Sequence, residues 1–356
     1  MKAALWHNAK DIRVENIAEP AVGKDEVKIK VAYCGICGSD LHEYLAGPIF
    51  IPVNEPHPLS KDKAPIVMGH EFAGEVVEVG EAVTDVKVGD RVTVEPIYSC
   101  GKCAACQKGH YNVCEHLGFV GLSGGYGGFA EYSVVPSKMV HKIPDHMTFE
   151  QAALVEPTAV AVHAVRQSGL QIGDSAAVFG TGPIGLLVIQ AAKAAGASKI
   201  IAVEVSPERQ EIAKRVGANV VVNPIEVDAV QTIKEHTNGL GVDVAFEVAG
   251  IEPTINAAVQ STRSEGNVVN VSIWEKPANI HLNNFILTER RMTSIIGYRN
   301  IFPQVIQLIA NGQIQASELV TKRIGLNDIV FEGFEALTQS KSQIKILVNP
   351  SLLKVF

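Results

Sequence analysis

Between residues 26 and 94 the apolar side chains fall at alternate positions in short runs: Glu26-Val-Lys-Ile-Lys-Val-Ala32, Glu75-Val-Val-Glu-Val79 and Asp90-Arg-Val-Thr-Val94. Successive side chains of a strand point to opposite faces, so this alternation, punctuated by glycine, predicts antiparallel strands in a partly closed barrel. The pattern changes near residue 155. A helical stretch is expected from 156 to about 168, followed by apolar strands at 175–179, 199–203, 219–222, 242–248 and 267–272. Between the first two of these, residues 183–196 begin with Pro, carry apolar side chains at helical spacing and end on Gly. That is the signature of a buried crossover helix, and a repeated β-α-β rhythm predicts a parallel sheet covered on both faces. Near residue 295 the pattern changes back. The expected organisation is one domain inserted in another, with 1–155 and 296–356 forming a β-rich unit around 156–295.

Composition narrows the possibilities. Of 356 residues, 47% are hydrophobic and 19% charged, enough to bury two sizeable cores, and no run approaches the roughly 18 apolar residues of a membrane helix. A net charge of −7 without basic tracts argues against nucleic acid or an anionic membrane as the main partner and points to a small molecule. The first twenty residues hold no apolar core of signal-peptide length, so the expected location is the cytoplasm.

Four of the six cysteines crowd together as Cys100-x2-Cys103-x2-Cys106-x7-Cys114. Four thiolates on an irregular loop suit a closed tetrahedral zinc site that staples the chain. An iron–sulfur cluster and paired disulfides are the rival readings. A ferredoxin-type run would bring its last Cys after three residues and follow it with Pro, whereas Glu115 follows here; disulfides need an oxidising compartment. A second motif, Gly180-Thr-Gly182-Pro183-Ile184-Gly185, lies between an expected strand and an expected helix, and Glu204 closes the next strand. In that context Gly180 permits the tight turn, Gly182 a close approach by pyrophosphate and Gly185 close helix–strand packing. Glu204 would accept from the adenosine ribose and repel a 2′-phosphate, favouring NAD(H). Arg209 can assist a 2′-phosphate, or be an exposed helical arginine. A third set is dispersed: Cys37-Gly-Ser39-Asp40-Leu-His42, Gly69-His70-Glu71-x2-Gly74-x5-Gly80 and Val155-Glu156-Pro157. Cys37, His70 and Glu156 offer one sulfur, one nitrogen and one oxygen, the three-ligand pattern of a catalytic zinc with an open position, although each is also common in a protein core.

Taken in order along the chain, the Gly69-to-Gly80 pattern, the four-cysteine lobe, the glycine fingerprint and the Glu156-Pro157 pair resemble the zinc-containing medium-chain dehydrogenase/reductase family, in its polyol dehydrogenase branch. The resemblance implies an α/β protein: a GroES-like β-rich catalytic domain with a structural zinc lobe, plus an inserted Rossmann domain with a doubly wound parallel sheet. It makes Cys37, His70 and Glu156 the catalytic zinc ligands and Cys100, Cys103, Cys106 and Cys114 the structural ones. Ser39 matches the hydroxyl that passes on the substrate proton, with His42 either a further relay or loop packing. Glu71 matches a carboxylate that can stand in as ligand, and Asp40 a group orienting a ligand; either can also be a buried carboxylate holding local backbone. Cys34 has no matching role and reads as a small buried hydrophobe. The implied reaction is zinc-dependent, NAD(H)-linked oxidation of a secondary alcohol, with (R,R)- or meso-2,3-butanediol and acetoin as the expected pair. Sorbitol or xylitol is the alternative, and a zinc- and nucleotide-binding sensor without turnover the remote one. The proline-rich stretch from Gly47 to Ala64 is expected to wall the substrate pocket, with Arg299 either pointing at it or held in a salt bridge. Relatives pair late strands of the cofactor domain, so a homodimer or homotetramer is expected.

Overall fold

A computed structural model of the chain describes residues 1–352, so residues 353–356 of the expected β-rich domain lie outside the described residues. The chain separates into two compact units. The first comprises Met1–Glu156, Phe302–Ala310 and the chain from Val320 onward; the second comprises Pro157–Ile301 and Asn311–Leu319. The short segment Asn311–Leu319, expected in the β-rich domain, packs with the second unit instead. Its Ile314, Ala316 and Leu319 are buried, and the Gln315 amide donates to Gln190 Oε1 at 2.7 Å.

In the first unit the strand Glu26–Gly35 is the hub. It pairs antiparallel with Glu71–Val79, with Tyr132–Pro136 and with Lys345–Asn349, while Arg91–Val94, Val140–Lys142 and Val320–Gly325 extend the sheet. The alternation read from sequence is realised: Val27, Ile29 and Val31 are buried, whereas Lys30 between them faces water. Phe72, Val76, Val92, Val94, Phe129 and Phe334 complete the same apolar cluster. Each such side chain contributes about 1.5–3 kcal/mol relative to exposure.

The second unit is a six-stranded, wholly parallel sheet in the spatial order Val220–Val222, Lys199–Val203, Ser175–Phe179, Val242–Glu247, Thr262–Asn270, Arg291–Ser294. Numbered along the chain this is 3-2-1-4-5-6, the doubly wound order, with its reversal between Ser175–Phe179 and Val242–Glu247. The crossover helix spans Pro183–Ala194 and buries Leu186, Leu187, Val188 and Ile189. It starts on Pro and the chain turns at Gly196, whose φ is 95°. Ligands of open α/β sheets bind outside the carboxyl ends of the strands at such a reversal, which is where the glycine-rich turn falls.

Candidate metal and cofactor sites

The helix Gly38–Ala46 follows directly on the hub strand and is capped at its start by Cys37. The Cys37 amide donates to Asp40 Oδ2 at 2.9 Å, which fixes the turn that carries the thiol. Gly69 precedes His70 with φ at 97°, a value a side-chain-bearing residue rarely adopts, and Gly74 lets Glu71–Val79 lie against the Lys30 carbonyl, where a Cβ would collide. Strand and helix thereby bring one ligand atom each of Cys37, His70 and Glu71 within 4.8 Å of one another. His70 is oriented from both ring nitrogens: Ser39 Oγ lies 3.2 Å from Nε2 and Asp40 Oδ1 lies 3.4 Å from Nδ1. The second pair is an electrostatic contact, since neither of its atoms has an aligned hydrogen-bond partner. Burial lowers the His70 pKa, but Asp40 and Cys37 outweigh it and hold it well above the usual imidazole value. A cation is what such a group of thiol, imidazole and carboxylate suits, and three donors leave a zinc one open position.

The carboxylate in this tight group is Glu71, not Glu156. Glu156 lies buried in the first turn of the helix Val155–Ser168, outside the donor group. Glu71 is held in place by Lys345, fully buried and donating to Oε1 at 2.9 Å, to Oε2 at 2.8 Å and to the Ile36 carbonyl at 3.0 Å. Burial pulls the Lys345 pKa down, yet Glu71 beside it more than compensates, and the amine stays charged. Sequence reading missed Lys345 because 274 residues separate it from its partner. His42, half-buried, sits one turn beyond Ser39 on the same helix. Cys34 is fully buried, and burial raises its thiol pKa, as befits an inert core residue.

The four cysteines of the lobe converge, with their sulfurs all within 4.8 Å and none in a disulfide. Cys100 to Cys106 and Cys103 to Cys114 are each 4.0 Å. A tetrahedron with zinc–sulfur bonds of about 2.3 Å has edges of about 3.8 Å, so the separations match a single ion. Backbone amides of Lys102 and Cys103 point at Cys100 Sγ, and those of Cys100 and His116 at Cys114 Sγ. Such amides favour thiolates: those of Cys106 and Glu115 bring Cys103 down to about 6, whereas burial and its neighbours push Cys106 up to about 12. Four thiols this close release all their protons only when a cation joins them. Tyr111, from the lobe, donates to Glu95, which also pairs with His141 at 2.9 Å, tying the lobe to the barrel.

In the second unit the glycine-rich turn has the anticipated geometry. Gly180 has φ at 92°, Gly182 caps the helix, and a Cβ on Gly185 would strike the Gly180 carbonyl. Pro183 and Ile184 open the first turn; Pro183 has no N–H, so the donors that a helix start offers an anion begin with Ile184 and Gly185. Glu204 departs from the expected free acceptor. It is buried, and its Oε2 accepts from Thr181 N and Oγ1 at 2.8 and 2.9 Å while Oε1 accepts from Val205 N and Ser206 N, both at 2.9 Å. A carboxylate offers about four lone-pair positions, so Glu204 braces the turn and meets a ribose only by exchanging one of these bonds. Arg209 is half-buried rather than exposed, with a terminal nitrogen 4.0 Å from where a Gly182 Cβ would lie and a buried Nε without a partner. That places a cation beside the glycine-rich turn. Glu247 escaped notice as a site residue. Buried at the end of its strand beside the sheet reversal, it accepts from Ala249 N, Gly250 N and Thr254 Oγ1 through Oε1 and leaves Oε2 unpartnered. Its strand-end position at the reversal was the signal available. Arg299 lies close enough to His163 to help depress that imidazole, and it has a partner of its own.

A dinucleotide cradle and two metal-donor groups in one chain define a metal-dependent oxidoreductase of the dinucleotide-using kind. Comparison with known proteins narrows the class. Residues 23–145 match the alcohol dehydrogenase GroES-like domain, and residues 183–311 match the zinc-binding dehydrogenase domain. The chain is 58% identical to (R,R)-butanediol dehydrogenase of Bacillus subtilis (strain 168) over 99% of its own length and 100% of that relative's. A sorbitol dehydrogenase of the same organism is 39% identical over 99% of this chain and 98% of its own. The crystal structure of 2R,3R-butanediol dehydrogenase from Bacillus subtilis superposes with a TM-score of 0.93, covering 98% of this chain and 99% of that one. The chain belongs to the zinc-binding alcohol dehydrogenase family, with a GroES-like unit and a Rossmann unit.

Proposed function

We propose that this protein interconverts (R,R)- or meso-2,3-butanediol and acetoin using NAD(H) and a zinc ion held by Cys37, His70 and a carboxylate, Glu71 or Glu156. The observation that carries the chemistry is the donor group of Cys37, His70 and Glu71 with the Ser39 hydroxyl against it. A zinc held there would supply Lewis-acid polarisation of the substrate oxygen, and bound NAD(H) would supply the hydride-transfer chemistry. Ser39 Oγ receives the proton of the substrate hydroxyl, and His42 passes it on. The Asp40 carboxylate, 3.4 Å from Nδ1 of His70, draws that side of the ring electrostatically and leaves Nε2 on the side of Ser39. Cys100, Cys103, Cys106 and Cys114 hold a second, structural zinc. Gly180, Gly182, Pro183, Ile184 and Gly185 cradle the pyrophosphate, Arg209 adds charge beside it, and the Glu204 carboxylate disfavours a 2′-phosphate.

The choice of a short diol is supported by the full-length likeness to (R,R)-butanediol dehydrogenase and by the apolar chain from Gly47 to Ile51. That segment is pinned: the buried Glu43 carboxylate accepts from Ile49 N at 3.0 and 3.1 Å, from Ile51 N at 3.2 Å and from Phe50 N. A wall so held offers few groups to meet the additional hydroxyls of sorbitol, the substrate in the name of a 39% identical relative. By the same reading the enzyme works in the cytoplasm as a homodimer or homotetramer. No helix among the described residues is long and apolar enough to cross a membrane. The test is initial rate with NAD or NADP on (R,R)-, meso- and (S,S)-2,3-butanediol, sorbitol and xylitol, before and after chelation. A chelator-sensitive, NAD-linked preference for R-configured diols is expected; preference for sorbitol would overturn the substrate assignment.

A further inference from the structure

The second unit contains a cavity of about 560 Å³ that the dehydrogenase chemistry leaves unused. It opens where the last turns of the helices Pro183–Ala194 and Pro207–Val216 meet the segment Asn311–Leu319. The crossover helix begins at the phosphate cradle and is twelve residues long, so its far end lies about 18 Å away. The lining is rich in donors. Lys193 and Arg215 are exposed cations in the last turns of their helices, and Gln190, Gln313 and Gln315 bring side-chain amides. Glu318 is the one carboxylate among these groups, and it stands 3.3 Å from Nε of Arg215, which offsets that cation, whereas Lys193 has no ion-pair partner among the described residues.

Gln190 supplies the second observation. It is 5% exposed, and its Oε1 must face the Gln315 backbone amide, which can only donate, at 2.7 Å. Its Nε2 is therefore the free end, and this buried donor has no partner among the described residues. A buried amide left so costs stability unless something accepts from it. Two of the carbonyls at each helix end, which would repel an anion, are engaged: Ala195 N bonds Ala191 O and Lys193 O, and Gly217 N bonds Ala213 O and Lys214 O.

We propose that this cavity is a second binding site, for a small anion whose carboxylate or phosphate oxygens accept from Gln190 Nε2, Lys193 Nζ and the Arg215 guanidinium. Its volume fits a compact metabolite-sized anion, larger than a lone water. The site stands independently of the substrate assignment. The test is isothermal titration of the full-length zinc-loaded protein with sodium phosphate and, separately, with citrate, at constant ionic strength and with glycerol as a neutral control. Saturable binding of one or both anions is expected, and which of them binds distinguishes phosphate from carboxylate recognition. Lys193→Glu, an exposed change, should weaken binding about tenfold or more, as loss of a charge-assisted hydrogen bond does. Gln190→Glu keeps the acceptor for Gln315 while removing the orphan donor, and should weaken it similarly. NADH affinity in both variants should stay at the wild-type value. Absence of saturable heat with either anion, equal binding of glycerol, or an anion affinity that survives both substitutions would overturn the proposal.

Discussion

Replacing Lys345 by Met removes the ammonium that is bonded to Glu71 while keeping most of the buried volume. At 2.8 Å the ammonium–carboxylate attraction is on the order of 6 kcal/mol for an effective dielectric of about 20. Part of that gain is cancelled by desolvating two fully buried groups, so the pair adds little net stability. Breaking it is another matter, because Glu71 keeps its burial and loses its partner; such changes cost about 3–5 kcal/mol. The first unit should therefore melt about 6–20 °C lower in zinc-stripped protein, followed by circular dichroism. The double variant Lys345→Met with Glu71→Gln removes both charges and should recover more than half of the loss, because the remaining amide is far cheaper to bury than a carboxylate. With zinc restored, the single variant should regain part of its stability, since a metal can take over the neutralisation of Glu71. A single variant that costs less than about 1 kcal/mol, or a double variant no more stable than the single one, would refute the reasoning.

Cys103→Ser should lower zinc content by one ion per chain, read by atomic absorption, while leaving the donor group at Cys37 intact. The buried His163 has its pKa lowered to about 4 from 6.5, mainly by burial and then by Arg299 and Arg166. The fold keeps it neutral while the unfolded chain takes up a proton, so stability should fall as pH drops from about 6.5 towards 4 and be flat above that window. After discounting for solvent screening the loss is about 1–2 kcal/mol, and His163→Leu should flatten the pH dependence of urea unfolding across that range. Glu204→Ala should lift kcat/KM with NADP relative to NAD by about tenfold or more by removing a like charge, with Arg209 left beside the cradle; an unchanged ratio would deny Glu204 any part in cofactor choice.

Local pattern made much of this molecule legible. Period-two alternation located the hub strand because one face of that sheet is buried and the other is wet, and Pro183 with Gly196 bounded the crossover helix because each is tied to a backbone conformation at a helix end. The cysteine lobe was readable for a similar reason: all four sulfurs lie within fifteen consecutive residues, so spacing alone nearly fixes the geometry. What escaped were long-range pairings. Glu71 and Lys345 meet across 274 residues, and Gln315 reaches back 125 residues to Gln190. Composition made a charged lysine an expected surface residue and gave the segment Asn311–Leu319 no reason to pack with the second unit.

Glu204 shows the same limit from the other side. Its position at the end of the second parallel strand was read correctly, but position says nothing about which donors reach a carboxylate first. Thr181 and the amides of Val205 and Ser206 take all its lone pairs, and these bonds tie the glycine-rich turn to the end of the next strand. On the proposed reading, a ribose that meets Glu204 exchanges one of these hydrogen bonds for another rather than adding to them. Cofactor affinity should depend on Thr181, whose hydroxyl contributes one of the bonds exchanged. Thr181→Val removes that hydroxyl while keeping the backbone donor and the side-chain shape, and it frees one lone pair of Glu204 for a ribose. If the brace matters more than the vacancy, NADH binding weakens by about fivefold, in keeping with one lost hydrogen bond of about 1 kcal/mol. Tighter binding in fluorescence titration would show instead that the carboxylate was waiting to be released.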